Sequence, residues 1–213
     1  MKKSKTYYHL ILDRSGSMAN CIEQTMEGIN MQIGRIREVA GRFPDHELIT
    51  SLTIFNNNVT RVWNRLLPGQ LRGLTFFDYT PTGTTAMLDA VGEVISDMQR
   101  VTEPESLEIG ATVVVVIITD GHENSSRTWS HEQVSSLIRE LEKTGRWVFS
   151  YLGTTIDAVE IASGLNIRKE NSMYFDIKDT FLMYNDLGVS LSSYVEKKES
   201  GSISVDFLGD SDE

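Results

Sequence analysis

Residues 9–20 read HLILDRSGSMAN, and the fold turns on how this stretch is read. Residues 7–12 are almost continuously apolar and short, the mark of a strand buried on both faces rather than on one. The run stops at Asp13, and oxygen-bearing side chains then occupy every second position: Asp13, Ser15 and Ser17. A tight turn accounts for Ser and Gly after a strand. It accounts less well for the alternation Asp-x-Ser-x-Ser, which places three small oxygen donors within reach of one point.

Outward from this stretch, helical and extended patterns alternate. Ile22, Met26, Ile29, Ile33, Ile36 and Ala40 recur at helical spacing, and the helix is expected to end near Gly41. HELITSLTIF (His46–Phe55) and VTRVW, separated by Asn56-Asn57-Asn58, read as a hairpin and therefore as an antiparallel pair. Residues 68–83 form a loop, and Met87, Val91, Val94, Ile95 and Met98 mark a second helix, with residues 103–110 as a polar connection. ATVVVVIITD is the most strand-like segment and belongs at the centre of the sheet. Ser130 and Gln133 make a capping box for a third helix, stopped at Gly145. Then follow a strand (RWVFSYLG), a short helix, a last strand (SMYFDI) and a helix over 179–197. This order predicts an α/β sandwich: a mostly parallel sheet with one antiparallel edge strand and helices on both faces. One domain over 1–198 and an acidic, disordered tail over 199–213 are expected, with ISVDFLG the apolar patch of that tail.

Bulk properties narrow the function. The 213 residues carry a net charge of −10 and a pI of about 4.9, with 40% hydrophobic residues. Non-specific binding to nucleic acid or to an anionic membrane needs clustered Lys and Arg, so neither partner is expected. Cys21 is the single cysteine, so no internal disulfide can form. The N-terminal lysines precede too short an apolar run for a leader, and no apolar run is long enough for a transmembrane helix. A soluble, cytoplasmic protein is expected, its oligomeric state open.

In parallel sheets ligands bind beyond the carboxyl ends of the strands. Three polar stretches fall there: DRSGS, PTGTTA and TDGHEN. Asp13, Ser15, Ser17, Thr84, Thr85 and Asp120 are hard oxygen donors, which suit Mg2+, Mn2+ or Ca2+ better than Zn2+ or copper. Each stretch alone is also what a turn or an N-cap looks like; their occurrence together at one sheet edge favours a metal site.

ILDRSGSM, TPTGTTAMLDA and VVIITDGHENSS together resemble the von Willebrand factor type A domain, in its bacterial intracellular form, over about residues 6–196. The resemblance implies a Rossmann-like, six-stranded sheet of order 3-2-1-4-5-6 and a metal ion-dependent adhesion site (MIDAS). It implies that Ser15 and Ser17 bind the metal through their hydroxyls, and that Asp13 holds a coordinating water or binds directly. It further implies Thr85 as the threonine ligand, with Thr84 the neighbouring alternative, and Asp120 acting through water. Arg14, His122, Glu123 and Asn124 become candidates for a partner-contact rim. Asp89, one helical turn after Thr85, could bond to the site loops or be solvated, and Asp78 has no stronger assignment. Trp129 and Trp147 read as packing residues.

The function expected is a divalent-cation-dependent protein-binding module, Mg2+ or Mn2+ before Ca2+, whose metal is completed by an Asp or Glu of a partner protein. A metal-dependent hydrolase acting on a phosphate ester is the alternative, and a metal-free scaffold a third. No nucleophile elbow, P-loop or G-x-G-x-x-G follows a strand, which speaks against an enzyme.

Overall fold

The computed structural model describes residues 4–176 and 180–209, with residues 103–109 as backbone only. The expected helix start at Asp179 and the last four residues of the expected tail lie outside the described residues. These residues form one six-stranded sheet of order β3-β2-β1-β4-β5-β6. Its strands are β1 (Ser4–Asp13), β2 (His46–Phe55), β3 (Val59–Leu66), β4 (Thr112–Thr119), β5 (Trp147–Gly153) and β6 (Ser172–Tyr174). β1 pairs in parallel with β2 and β4, β4 with β5 and β5 with β6, and only the β2–β3 hairpin is antiparallel. The expected order and the antiparallel edge are both present.

The apolar run of β1 behaves as a two-sided strand should. Tyr8, Leu10 and Leu12 face α1 (Ile22–Arg42) and α5 (Thr180–Glu199). Tyr7 and Ile11 face α2 (Met87–Ile109) and α3 (His131–Glu142), with α4 (Ala158–Gly164) beside them. α1 and α5 approach so closely that a Cβ on Gly28 would sit 1.9 Å from the Tyr184 ring. The capping box of α3 is formed, with the Gln133 N–H donating to the Ser130 hydroxyl and Ser130 N–H to Gln133 Oε1. Trp129 packs over Gly92 and Trp147 stacks on Phe149, as packing residues. No helix among the described residues is long and apolar enough to cross a membrane.

Two expectations are corrected. The backbone of α2 stays helical through Ile109, where a polar connection over 103–110 was expected; the stop signal is Gly110, whose φ of +66° supplies a left-handed cap. The chain after α5 is not a loose tail over its described part. Phe207 is 1% exposed and lies between the rings of Tyr8 and Tyr194, with centroids 6.1 and 5.9 Å away. The fully buried Asn171 holds this segment by its side chain: Oδ1 accepts from the Phe207 N–H at 2.6 Å and Nδ2 donates to the Val205 carbonyl at 2.9 Å. An apolar ISVDFLG within a polar stretch is thus the imprint of a core contact.

Truncating a buried aromatic leaves a cavity. Phe207→Ala is expected to lower stability to urea by about 3–5 kcal/mol, whereas a change within about 0.5 kcal/mol, the range of an exposed residue, would mean the segment is not part of the core.

Candidate metal centre

The site forms where β1 and β4 end side by side. Asp13 is completely buried, and its carboxylate accepts hydrogen bonds from the Ser15 N–H (2.6 Å) and the Thr119 hydroxyl (2.5 Å). Its carbonyl accepts from the Tyr79 hydroxyl at 2.8 Å. Ser15 Oγ lies 3.0 Å from Ser17 Oγ, and the Ser17 hydroxyl donates to Asp120 Oδ1 at 2.7 Å. One chain of contacts therefore joins Asp13, Ser15, Ser17 and Asp120.

The loop before α2 is held against this chain by its backbone. Gly16 N–H donates to the Gly83 carbonyl and Thr82 N–H to the Arg14 carbonyl, at 3.1 and 3.0 Å. Gly83 has a φ of +77°, and a Cβ there would meet the Asn57 side chain at 2.2 Å, so glycine is required. The neighbouring threonines divide. Thr84 is exposed; Thr85 is buried. A Cβ added to Gly121 would sit 3.5 Å from the Thr85 hydroxyl and 3.6 Å from that of Ser17, so both hydroxyls face the same point beside Gly121. Among the described residues no three His, Cys, Asp or Glu side chains gather as a metal cluster. The convergent donors are three hydroxyls and two carboxylates.

The rim residues separate by role. His122 is exposed, its Nδ1 3.8 Å from Asp157. Arg14 is half-buried, where an outward side chain was expected. Asn124 is exposed but exchanges hydrogen bonds with the Thr85 backbone in both directions, at 3.0 Å each. Glu123 turns inward: its carboxylate accepts from the N–H groups of Leu88, Ser125 and Ser126. Asp89 reciprocates by accepting from the N–H groups of Arg127, Thr128 and Trp129.

These two carboxylates explain how α2 begins. Ala86 at its N-cap offers no side-chain acceptor, and the first N–H groups of a helix need one. Glu123 takes that of Leu88, and the Ser126 hydroxyl that of Asp89. Asp78 is bound instead in a two-point pair with Arg72, at 2.7 Å for each bond. Thr119 and Tyr79 are supports that sequence reading missed, and Glu123, expected on the rim, braces the loop and the start of α2 instead; of the two missed, only Thr119, directly before Asp120 at the end of a buried strand, gave a signal.

No family model matches the chain, and no curated protein does either. Solved structures do. The chain is similar to proximal thread matrix protein 1 from the mussel byssus, with a TM-score of 0.58 and 17% identity over 87% of this chain and 46% of that one. A form of that protein described with a zinc-occupied MIDAS motif matches with a TM-score of 0.56 and 16% identity, over 89% and 46%. A von Willebrand factor type A structure from Catenulispora acidiphila matches with a TM-score of 0.52 and 16% identity, over 90% and 42%. The chain spans less than half the length of these proteins, and the likeness establishes the fold: that of the von Willebrand factor type A domain.

Burial pushes the Asp13 carboxyl up to about 6, hydrogen bonds from Thr119 and Ser15 restrain it, and Asp120 adds to the rise. Asp120 is also raised, chiefly by burial, against the hydrogen bond from Ser17. A carboxyl that titrates higher folded than unfolded favours folding in its protonated form. That contribution is whole below about pH 4 and is lost as pH rises through 6. Asparagine keeps the acceptor for Ser15 N–H, and Thr119 can turn its hydroxyl to Gly121. Asp13→Asn is therefore expected to raise the melting temperature of metal-stripped protein at pH 8, by about 2–4 °C per kcal/mol, with the gap closing toward pH 5. A lower melting temperature at pH 8, or a gap independent of pH, would contradict this account in calorimetric scans.

Proposed function

We propose that this chain, with its von Willebrand factor type A fold, is a divalent-cation-dependent protein-binding module and not an enzyme. The observation that carries the reading is the convergence of the Ser15, Ser17 and Thr85 hydroxyls with the Asp13 and Asp120 carboxylates. A bound cation favours the ionised carboxylates that burial disfavours. Neutral hydroxyls with few carboxylates fit Mg2+ or Mn2+, and Ca2+ less well. The mussel protein described with zinc in its MIDAS motif supports a site of this type on this fold.

Ser15, Ser17 and Thr85 would hold the ion directly, Asp13 and Asp120 directly or through water. The ion would supply an electrophilic point for one further oxygen ligand, and an Asp or Glu of a partner protein is the ligand of matching charge. Exposed His122 and the half-buried Arg14 border the place such a partner reaches. The hydrolase alternative gains nothing from the geometry. An aspartyl nucleophile would want a second Asp at position 15 and a lysine nearby, and position 15 is serine with no lysine in the three loops. A free, buried Cys21 fits a reducing compartment such as the cytoplasm, and the net charge of −10 argues against nucleic acid and anionic membranes as partners.

The test is calorimetric titration of Mg2+, Mn2+ and Zn2+ into metal-stripped protein, with acetate present as a stand-in for the partner carboxylate. One site is expected, weakened at least tenfold, about 1.4 kcal/mol, by Ser17→Ala, Thr85→Ala and Asp120→Ala, and unchanged by Thr84→Ala. Equal binding in all variants, or none in folded wild type, would end the metal reading.

A further inference from the structure

The two most exposed large apolar side chains in the described structure are Phe77, 100% exposed, and Ile156, 97% exposed. An exposed apolar residue alone needs no explanation; the mounting of these two does. Phe77 stands on the turn 75–79, stiffened by Asp78, which takes both Arg72 bonds and accepts from the Thr75 N–H and hydroxyl. The turn ends at Tyr79, fully buried, whose hydroxyl donates to the carbonyl of Asp13. Ile156 stands on the turn after β5. There the Thr154 hydroxyl donates to the carbonyl of Asp120 at 3.3 Å, and buried Ala158 closes the turn through its N–H to Thr155. Each side chain is two residues from an anchor on the backbone of a site aspartate. The first anchor, Tyr79, packs on the α1 face of the sheet, and the second, Thr154, directly follows β5.

The edge as a whole shows the same bias. Among the described residues nine large apolar side chains are exposed. Six of them, Phe76, Phe77, Ile156, Tyr174, Phe181 and Leu182, lie on segments entering or leaving the carboxyl edge of the sheet. Charge works the other way: a protein of net charge −10 repels an acidic partner at long range. Beyond the bond to the ion, the attraction available is short-ranged, and the exposed apolar side chains of this edge supply it.

We propose that Phe77 and Ile156 are paired contact points flanking the site, and that the partner is a protein surface on which an acidic side chain is bordered by apolar ones. This rests on the metal-site reading above. The experiment exposes the full Mn2+-loaded chain to a random peptide display library, beside the Phe77→Ser/Ile156→Ser double variant and a chelator control, with Mn2+ binding to both proteins checked by calorimetry. Wild type is expected to enrich peptides carrying Asp or Glu with Leu, Ile, Val or Phe at neighbouring positions. The double variant should still bind Mn2+ and enrich acidic peptides, but without the apolar bias, and should bind the wild-type winners at least tenfold more weakly. Acidic peptides without apolar bias on wild type, or the same bias on the variant, overturn the inference and leave the metal reading standing. Mn2+ binding with no enrichment at all also overturns it. Absence of Mn2+ binding removes the metal reading and the inference with it. Self-association of wild type that the double variant loses, seen by sedimentation, would make a second copy the occupant and overturn it as well.

Discussion

The hydrogen bond from Thr119 to the buried carboxylate of Asp13 joins the ends of the two central strands, and most of the site follows from it. β1 and β4 are paired along their length, but at their carboxyl ends the chain must leave in two directions. The bond fixes one oxygen of Asp13 there; the Ser15 N–H fixes the other. With Asp13 immobile, the turn through Gly16 is set, Ser15 and Ser17 are aimed at Asp120, and the Gly83 loop can lie against Gly16. A buried carboxylate is costly unless its oxygens are satisfied. Here that cost is tolerated at a place where the fold brings oxygen donors together.

The second organising feature is reciprocal. Glu123 and Ser126 of the loop after β4 cap α2, and Asp89 of α2 caps that same loop. Against the desolvation of its carboxyl, three backbone N–H donors hold Asp89 below the usual carboxylate range. Neither the helix start nor the loop is self-sufficient, so the Thr85 side and the Asp120 side of the site are set together. This explains why Ala86 can occupy an N-cap position at all.

What was legible in the sequence was what local rules govern. The bounds of β2, the hairpin at Asn56–Asn58, the Ser130 capping box and the buried two-sided strands follow from pattern and turn chemistry, and the structure shows each. The spacing of Asp13, Ser15 and Ser17 pointed to the candidate site, and the structure joins the three with Asp120 in one chain of contacts. What escaped depends on pairs far apart in the chain. Leu88 and Glu123 are 35 residues apart, Trp129 and Asp89 are 40, and nothing local in either partner announces the other. The same holds for residues 200–209, whose Gly, Ser and Asp content reads as disorder. Phe207 finds its pocket between Tyr8 and Tyr194 and is clasped by Asn171, none of them its neighbours in sequence. Thr84 and Thr85 likewise read alike in sequence and differ only in the structure, one exposed and the other buried.

Phe207 against Tyr8 also has a temporal meaning. The ring of Tyr8 belongs to β1, and its partner Phe207 lies far later in the chain, beyond α5. During synthesis the α1 face of β1 therefore waits, part of its aromatic core uncovered, until the segment after α5 has been made. Contacts of such long sequence separation form late and slow folding. The segment that composition presents as an appendage thus closes the aromatic core over Tyr8 and Tyr194.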